Sequence, residues 1–444
     1  MVTTTNPEYL LSLRAVREQN KRIYECVKSG KLQHFDIDLD KMEEVVRFVT
    51  LLVKRDFDDP SEMPSHSRWR HFDAGEQPRI KQLLASMSSS SALDKAKRLI
   101  DLFVISILLD TSPLHQWGYQ EKSTGRVYRR TEGVAVAVLE IFKTGLFSSD
   151  PGDPYRVDAA ALADLTVDDL ANGFQISAKN TLVGLEDRVN LIQHVTETMK
   201  DYSSLFSSKD KTSSRPGNML DYLLSHASTV RSNKSSAVQM ETLWSVAILL
   251  GELWAQGSKV GDKLMGDVWH CEALKSTGNS DCYLPFHTTT QWICYSVIDI
   301  LETVLSVTVD GKDQLTPLTE YPNGGLLLDT GLLVLKKRDL ESGLSNYRRN
   351  SLLPGQPKIE VAPMFDINDS VVIEWRALTI YYVEIVASKV REKLRSKKHL
   401  TLPQILEGGI WNAGRELAEI SRPNTQEPPI VIKVNYAWLL NIDY

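Results

Sequence analysis

The chain has 444 residues, of which 42% are hydrophobic and 24% charged, and its formal net charge is −6. This is the balance of a globular protein with a large core, and roughly 100–200 residues per domain would allow two or three domains. The acidic balance excludes nonspecific nucleic-acid binding, which needs basic surface to displace counterions, but leaves room for a small anionic ligand held by a local Arg.

In chain order, helical patterns dominate. Asn6 before Pro7 predicts a helix start, with an N-cap and then Pro at the first helical position, and Gly30 is a natural stop. The N-terminal stretch has no apolar core of signal-peptide length and mixes acids with bases, so it reads as neither secretory nor organellar. Residues 39–55 place Val45, Val46, Val49, Leu52 and Val53 on one face. "SMSSSSALD" (86–94) reads as a surface loop, and residues 92–109 as a buried helix. Helical patterns continue at 132–143 and 181–200. "SSLFSSKDKTSSRPGN" (203–218) reads as a second polar loop. Further helices are predicted at 239–254, 284–307, 372–395 and 402–419, with a connection at 351–369 and one strand within 428–439. No composition break or repeat appears. The expected fold is mainly α: one large helical domain over 1–444, open to division into two lobes of about 1–230 and 231–444 with a cleft between them.

Apolar runs such as "LFVISILL" (102–109) are too short to span a bilayer, so no membrane association and a cytoplasmic location are expected. Cys26, Cys271, Cys282 and Cys294 form no C-x-x-C pair and read as reduced, buried thiols. There is no G-x-x-x-x-G-K-[ST], no strand-linked G-x-G-x-x-G, no H-E-x-x-H and no G-x-S-x-G. No metal or cofactor is called for.

The stretch "LTEYPNGGLLLDTGLLVL" (318–335) sets an acid against leucine-rich runs. Pro322 disfavours helix at Tyr321, and Asn323, Gly324 and Gly325 tolerate positive φ. An extended Glu320-Tyr321 followed by a sharp reversal is expected. Glu320 then reads either as a solvated turn acid or as a carboxylate fixed between two core elements. Other polar groups also lie in apolar settings: Asp110 before Trp117, His71 beside Trp69 and Phe72, Glu374 and Arg376 opening an apolar helix, and Trp411 with Asn412. Singly, each has an ordinary role; together they suit a pocket for a planar, polar small molecule.

The blocks "RWRHFDAG", "LLDTSPLHQWGY", "RRTEGVAVAVLEIF", "FHTTTQWICYSVID", "LTEYPNGGLLLDTGLL" and "VIEWRALT" resemble, in order, the fungal and bacterial uracil-catabolism (URC) protein family. The same order is more distantly similar to the queuosine 5′-phosphate N-glycosylases of queuosine salvage. That second resemblance implies a helical fold like that of DNA glycosylases. It also implies a catalytic carboxylate at Glu320, where those enzymes carry an Asp before Tyr-Arg. Tyr321, His71, Asp110, Trp117, Glu374, Arg376, Trp411 and Asn412 would be the substrate-binding counterparts. Pro322 stands where the pattern has Arg, and Asn412 where it has Asp.

The implied activity is hydrolysis of an N-ribosidic C–N bond in uracil catabolism. The substrate would be ribosylurea or its 5′-phosphate, and the products urea and a ribose species. Glu320 would stabilise an oxocarbenium-like state, Glu374 or Asp110 would hold sugar hydroxyls, and Trp117 and Trp411 would wall the leaving group. His71 would meet a 5′-phosphate or a hydroxyl. The alternatives are a queuosine-nucleotide or other nucleoside 5′-phosphate N-glycosylase, and a noncatalytic binding or scaffold protein of the same pathway.

Overall fold

The computed structural model describes residues 6–110, 117–208, 213–232, 236–253, 257–275, 281–350 and 360–433. Parts of the expected loops at 203–218 and 351–369, and the C-terminal part of the expected strand at 428–439, lie outside these residues. The fold is mainly α, with short two- and three-stranded pieces of sheet.

The chain forms two compact units. The first is built from Met1–His66, Gln256–Thr288 and Asp313–Asn435, the second chiefly from Ser67–Ala255 and Thr289–Lys312. Neither is a single run of chain.

In the first unit the N-cap reading holds: Asn6 accepts from the Glu8 N–H, and Pro7 opens the helix Pro7–Leu10. The 39–55 pattern forms the helix Met42–Asp56, which buries Val45, Val46, Val49, Leu52 and Val53. The helix Ser370–Leu394 buries residues all round its first half, from Val371 to Ile380. This is the pattern of a helix with no solvent face, and it packs against Met42–Asp56 and against the helix Tyr321–Asp329. Strand Phe35–Ile37 pairs antiparallel with Leu333–Leu335, so residues near the chain's start are tied to residues some 300 positions later. Val268–His270 pairs antiparallel with Tyr283–Pro285, and Met364–Asp366 pairs parallel with Val431–Lys433.

In the second unit the predicted 92–109 helix spans Ala92–Leu109, and every side chain from Leu99 to Leu109 is buried. Asp101 is carried inside this helix and is paired there with Arg215, at 2.9 Å to Nε, and with the Gly217 N–H at 2.7 Å. Arg130–Thr144, Leu185–Asp201, Met240–Gly251 and Thr288–Leu305 supply the other long helices expected from periodicity.

All four cysteines are free and buried. Burial pushes the Cys26 thiol up to about 11 and that of Cys271 up to about 12. Among the described residues no helix is long and apolar enough to cross a membrane.

The expectation at Glu320 needs correction. Tyr321–Asp329 is a helix, not a reversal, and Glu320 is its extended N-cap residue (φ −79°, ψ 155°). Pro322 is compatible because the first turn of a helix has no use for that N–H. The glycines serve close packing instead of positive φ. A Cβ on Gly324 would lie 2.8 Å from the Trp375 ring and 2.9 Å from the Thr379 hydroxyl. A Cβ on Gly414 of the helix Asn412–Ser421 would lie 2.0 Å from the Pro322 carbonyl oxygen.

Candidate functional site

Glu320 is held from both sides. Upstream, Thr319 Oγ1 accepts from Arg376 Nε at 3.1 Å and meets Thr288 Oγ1 at 2.8 Å. Arg376 is itself fixed by a two-pronged pair with Asp267, at 2.9 and 2.7 Å, and lies 4.0 Å from the Phe286 ring centroid. Burial would raise the Asp267 carboxyl, but the Arg376 charge and hydrogen bonds, with the N–H groups of Thr288 and Trp269, hold it below the usual carboxylate range. Downstream, buried Asn323 donates through Nδ2 to the Leu318 carbonyl at 3.0 Å, and Trp375 Nε1 donates to the Gly324 carbonyl at 3.2 Å.

Glu320 does not cap its own helix. Its Oε2 meets Nε2 of His66 at 3.0 Å, and the other imidazole nitrogen, Nδ1, meets Glu407 Oε2 at 2.5 Å. Oε1 of Glu320 takes no protein hydrogen bond among the described residues. The His66 ring is fully buried, the Glu407 side chain is 10% exposed, and that of Glu320 is 22% exposed. The imidazole is therefore the most buried of the three, set between a less exposed carboxylate, Glu407, and a more exposed one, Glu320. Burial by itself would push the His66 ring down, but the charge and hydrogen bond of Glu320, followed by those of Glu407, outweigh it and push the ring up to about 10. His66 is an imidazolium at neutral pH.

Local sequence explains how Glu407 reaches His66. The chain takes a π-helical turn over Leu406–Trp411, between Leu402–Ile405 and Asn412–Ser421. Such turns often mark functional sites, because the extra residue re-aims a side chain. A Cβ on Gly408 would lie 2.5 Å from Met63, and one on Gly409 3.0 Å from Val49, so the glycine pair lets this turn sit directly on the segment before His66 and on the helix Met42–Asp56. The His66 N–H donates to the Pro403 carbonyl at 3.0 Å, and Gln404 Nε2 donates to the Met63 carbonyl at the same length. Trp411 closes the turn with its ring 6.0 Å from His66, and Arg415 lies 4.8 Å from the Trp411 ring centroid.

The residues singled out in the sequence divide between the two units. Glu320, Tyr321, Glu374, Arg376, Trp411 and Asn412 belong to the first, and His71, Asp110 and Trp117 to the second. Tyr321 and Asn412 are half-buried first residues of their helices. Glu374, expected at sugar hydroxyls, has its two oxygens taken by the N–H groups of Gln33, His34 and Phe35, at 2.9, 2.9 and 3.1 Å. Burial pushes its carboxyl up against those donors. Arg376 anchors the residue before Glu320, as described. Trp117, expected to wall a leaving group, is wholly buried and donates from Nε1 to the Phe174 carbonyl at 2.9 Å. Asp110 pairs with buried Arg68 and Thr131, and His71 lies 3.3 Å from the same Arg68 and packs on Trp292.

His66 and Glu407 were not singled out in the sequence. His71, five residues on and flanked by aromatics, drew the notice that His66 in "PSHSRW" did not. Glu407 was hidden in "LEGGIW", where only Trp411 and Asn412 stood out. The usable signal was an acid before a glycine pair within a helical pattern.

The family model described as "Protein of unknown function (DUF1688)" matches residues 9–437. The chain belongs to this family. The six ordered blocks quoted above lie inside the matched span, in agreement with the resemblance they carried. One relative of this DUF1688 chain is "Uracil catabolism protein 4" of Lachancea kluyveri, 35% identical over 444 residues, which cover 97% of this chain and 98% of the relative. Another is "Protein urg3" of Schizosaccharomyces pombe, 31% identical over 438 residues, covering 97% of this chain and 98% of the relative.

Proposed function

We propose that this protein acts in uracil degradation as a hydrolase of an N-ribosidic C–N bond, with ribosylurea or its 5′-phosphate as substrate and urea and a ribose species as products. The pathway is supported by the name of the 35%-identical relative, "Uracil catabolism protein 4", which matches over nearly the whole of both chains. The bond class is supported by the Thr319-Glu320-Tyr321 segment, which resembles the carboxylate segment of the queuosine 5′-phosphate N-glycosylases.

One observation carries the chemistry. Glu320 presents a partly exposed carboxylate with one oxygen that takes no hydrogen bond from the described residues, on a helix start that packing holds fixed, and a buried imidazolium sits behind it. Departure of the nitrogen from the anomeric carbon leaves an oxocarbenium-like sugar. A carboxylate fixed in advance stabilises that charge without reorganising during the reaction. Glu320 is the catalytic residue in this reading, and Trp411 packs beside the His66 ring behind it.

Purified full-length protein incubated with ribosylurea and with ribosylurea 5′-phosphate should release urea. Glu320→Gln should lower kcat by about 1,000-fold, the scale of losing one preorganised electrostatic group, while changing ligand affinity little. Absence of urea release by folded wild-type protein, with release of a base from other nucleoside 5′-phosphates, would move the substrate to that class. Ligand binding without turnover of any substrate would make this a binding protein.

A further inference from the structure

The triad sets the imidazolium of His66, with one N–H towards each neighbour, between the acids Glu407 and Glu320. The expulsion of a ureido or amide nitrogen from a sugar requires that the nitrogen be protonated as it leaves. A lone surface carboxyl with an ordinary pKa near 4.3 is ionised at neutral pH and has no proton to give.

We propose that His66 is the proton store of the reaction, that Glu407 holds it, and that Glu320 passes its proton both outward to the leaving nitrogen and back again from water. The inference rests on the N-ribosidic hydrolysis proposed above. Its basis is the order of burial and the contacts. His66 is enclosed, one nitrogen meets the deeper Glu407 at 2.5 Å, and the other meets Glu320 at 3.0 Å, the more exposed of the two acids. The raised pKa of the ring, about 10, means that the store is filled at neutral pH. With its ring already protonated, His66 cannot open the reaction as a base, so the first transfer runs outward.

The steps balance. The proton on His66 Nε2 moves to the Glu320 carboxyl and from there to the leaving nitrogen. The C–N bond breaks, and its electron pair stays with that nitrogen. Glu320 is again a carboxylate, now beside the cationic anomeric carbon, and His66 is neutral with Nδ1–H donating to Glu407. Water then forms the new C–O bond, and its proton passes through Glu320 to His66. One water is consumed, one C–N bond is replaced by C–O, and the triad is restored. His66 and Glu407 act through Glu320, so they are positioning residues. The substrate class follows: N-ribosides whose leaving nitrogen is too basic to depart as an anion.

Leaving-group dependence tests this. Full-length wild type, Glu320→Gln, His66→Gln and Glu407→Gln are compared on ribosylurea, which needs a proton to leave, and on 4-nitrophenyl riboside, which does not. Glu407→Gln keeps the shape of the site and covers the case in which His66→Gln does not fold. Both positioning variants should lose about 100-fold or more on ribosylurea, the scale of general acid catalysis, and at least tenfold less than that on the nitrophenyl riboside. Glu320→Gln should lose both. Equal losses on the two substrates, or no loss, would overturn the proton store while leaving the hydrolase reading standing. If wild type cleaves neither substrate, the hydrolase reading fails and the proton store fails with it; where wild type does cleave them, nitrogen NMR of ¹⁵N-histidine-labelled protein tests the store alone, and a His66 ring that is neutral at pH 8 overturns it while leaving the hydrolase reading standing.

Discussion

At the scale of single residues, the same side-chain type does opposite work depending on its partners. Glu374 and Glu320 both read as acids stranded in apolar sequence. Glu374 is locked to three backbone N–H groups, which lose this acceptor if it is removed. Glu374→Ala should therefore cost about 3 kcal/mol or more, since each orphaned buried donor costs about 1–3 kcal/mol; the measurement is the urea midpoint at unchanged m-value. Glu320→Gln should also lower that midpoint, because it takes from the buried His66 ring the partner that does most to keep it charged, and it should remove turnover as well. No residue pattern separates these two acids, because the separation lies in where a loop more than 300 positions away, or a histidine 254 positions away, comes to rest. Glu320 was legible because its neighbours are apolar; His66 was not, because a lone histidine between serines carries no such contrast.

Ionisation adds a prediction at the same scale. The folded-state value of His66, about 10, lies above its ordinary 6.5, so the triad's contribution to stability is complete below about pH 6.5 and is lost as pH rises towards 10. Asp267 is shifted the other way: its contribution is present above the ordinary carboxylate range and is lost as pH falls through and below it. Urea midpoints against pH should show a decline on the alkaline side that His66→Gln removes and an acid-side decline that it leaves in place.

At the scale of elements, the long helices were legible because apolar side chains recur with helical spacing: Met42–Asp56 and Ala92–Leu109 fall where the pattern put them. The helix Tyr321–Asp329 was not, because Pro-Asn-Gly-Gly is turn chemistry by local preference. Tertiary packing overrides that preference. The glycines save space where Trp375 and the neighbouring helix press in, and that need is invisible until the partner is known. Gly414→Ala should cost about 3 kcal/mol, at the upper end for overpacking, because the obstruction is the Pro322 backbone, which cannot swing aside as a side chain does. The same variant should lower kcat, since relief of the clash moves the first turn that carries Glu320. Thermal melting and urea-release kinetics on one preparation would read both.

At the scale of the molecule, each unit closes on itself through distant chain. Strand Phe35–Ile37 needs Leu333–Leu335, and the site needs His66, Glu320 and Glu407 together. Fragments 1–230 and 231–444 expressed apart should therefore lack cooperative unfolding transitions. Such long-range closure also predicts slow folding, because loop entropy is spent before the distant contacts form.

The buried thiols turn this division into something that can be timed. Cys26, Cys271 and Cys282 lie in the first unit and Cys294 in the second, and none is exposed in the native protein. A maleimide added in mild denaturant can reach a sulfur only when the surrounding unit opens, so mass spectrometry of the tagged peptides gives each unit its own clock. One rate for all four tags means the two units unfold in a single event; a separate rate at Cys294 means that each unfolds on its own.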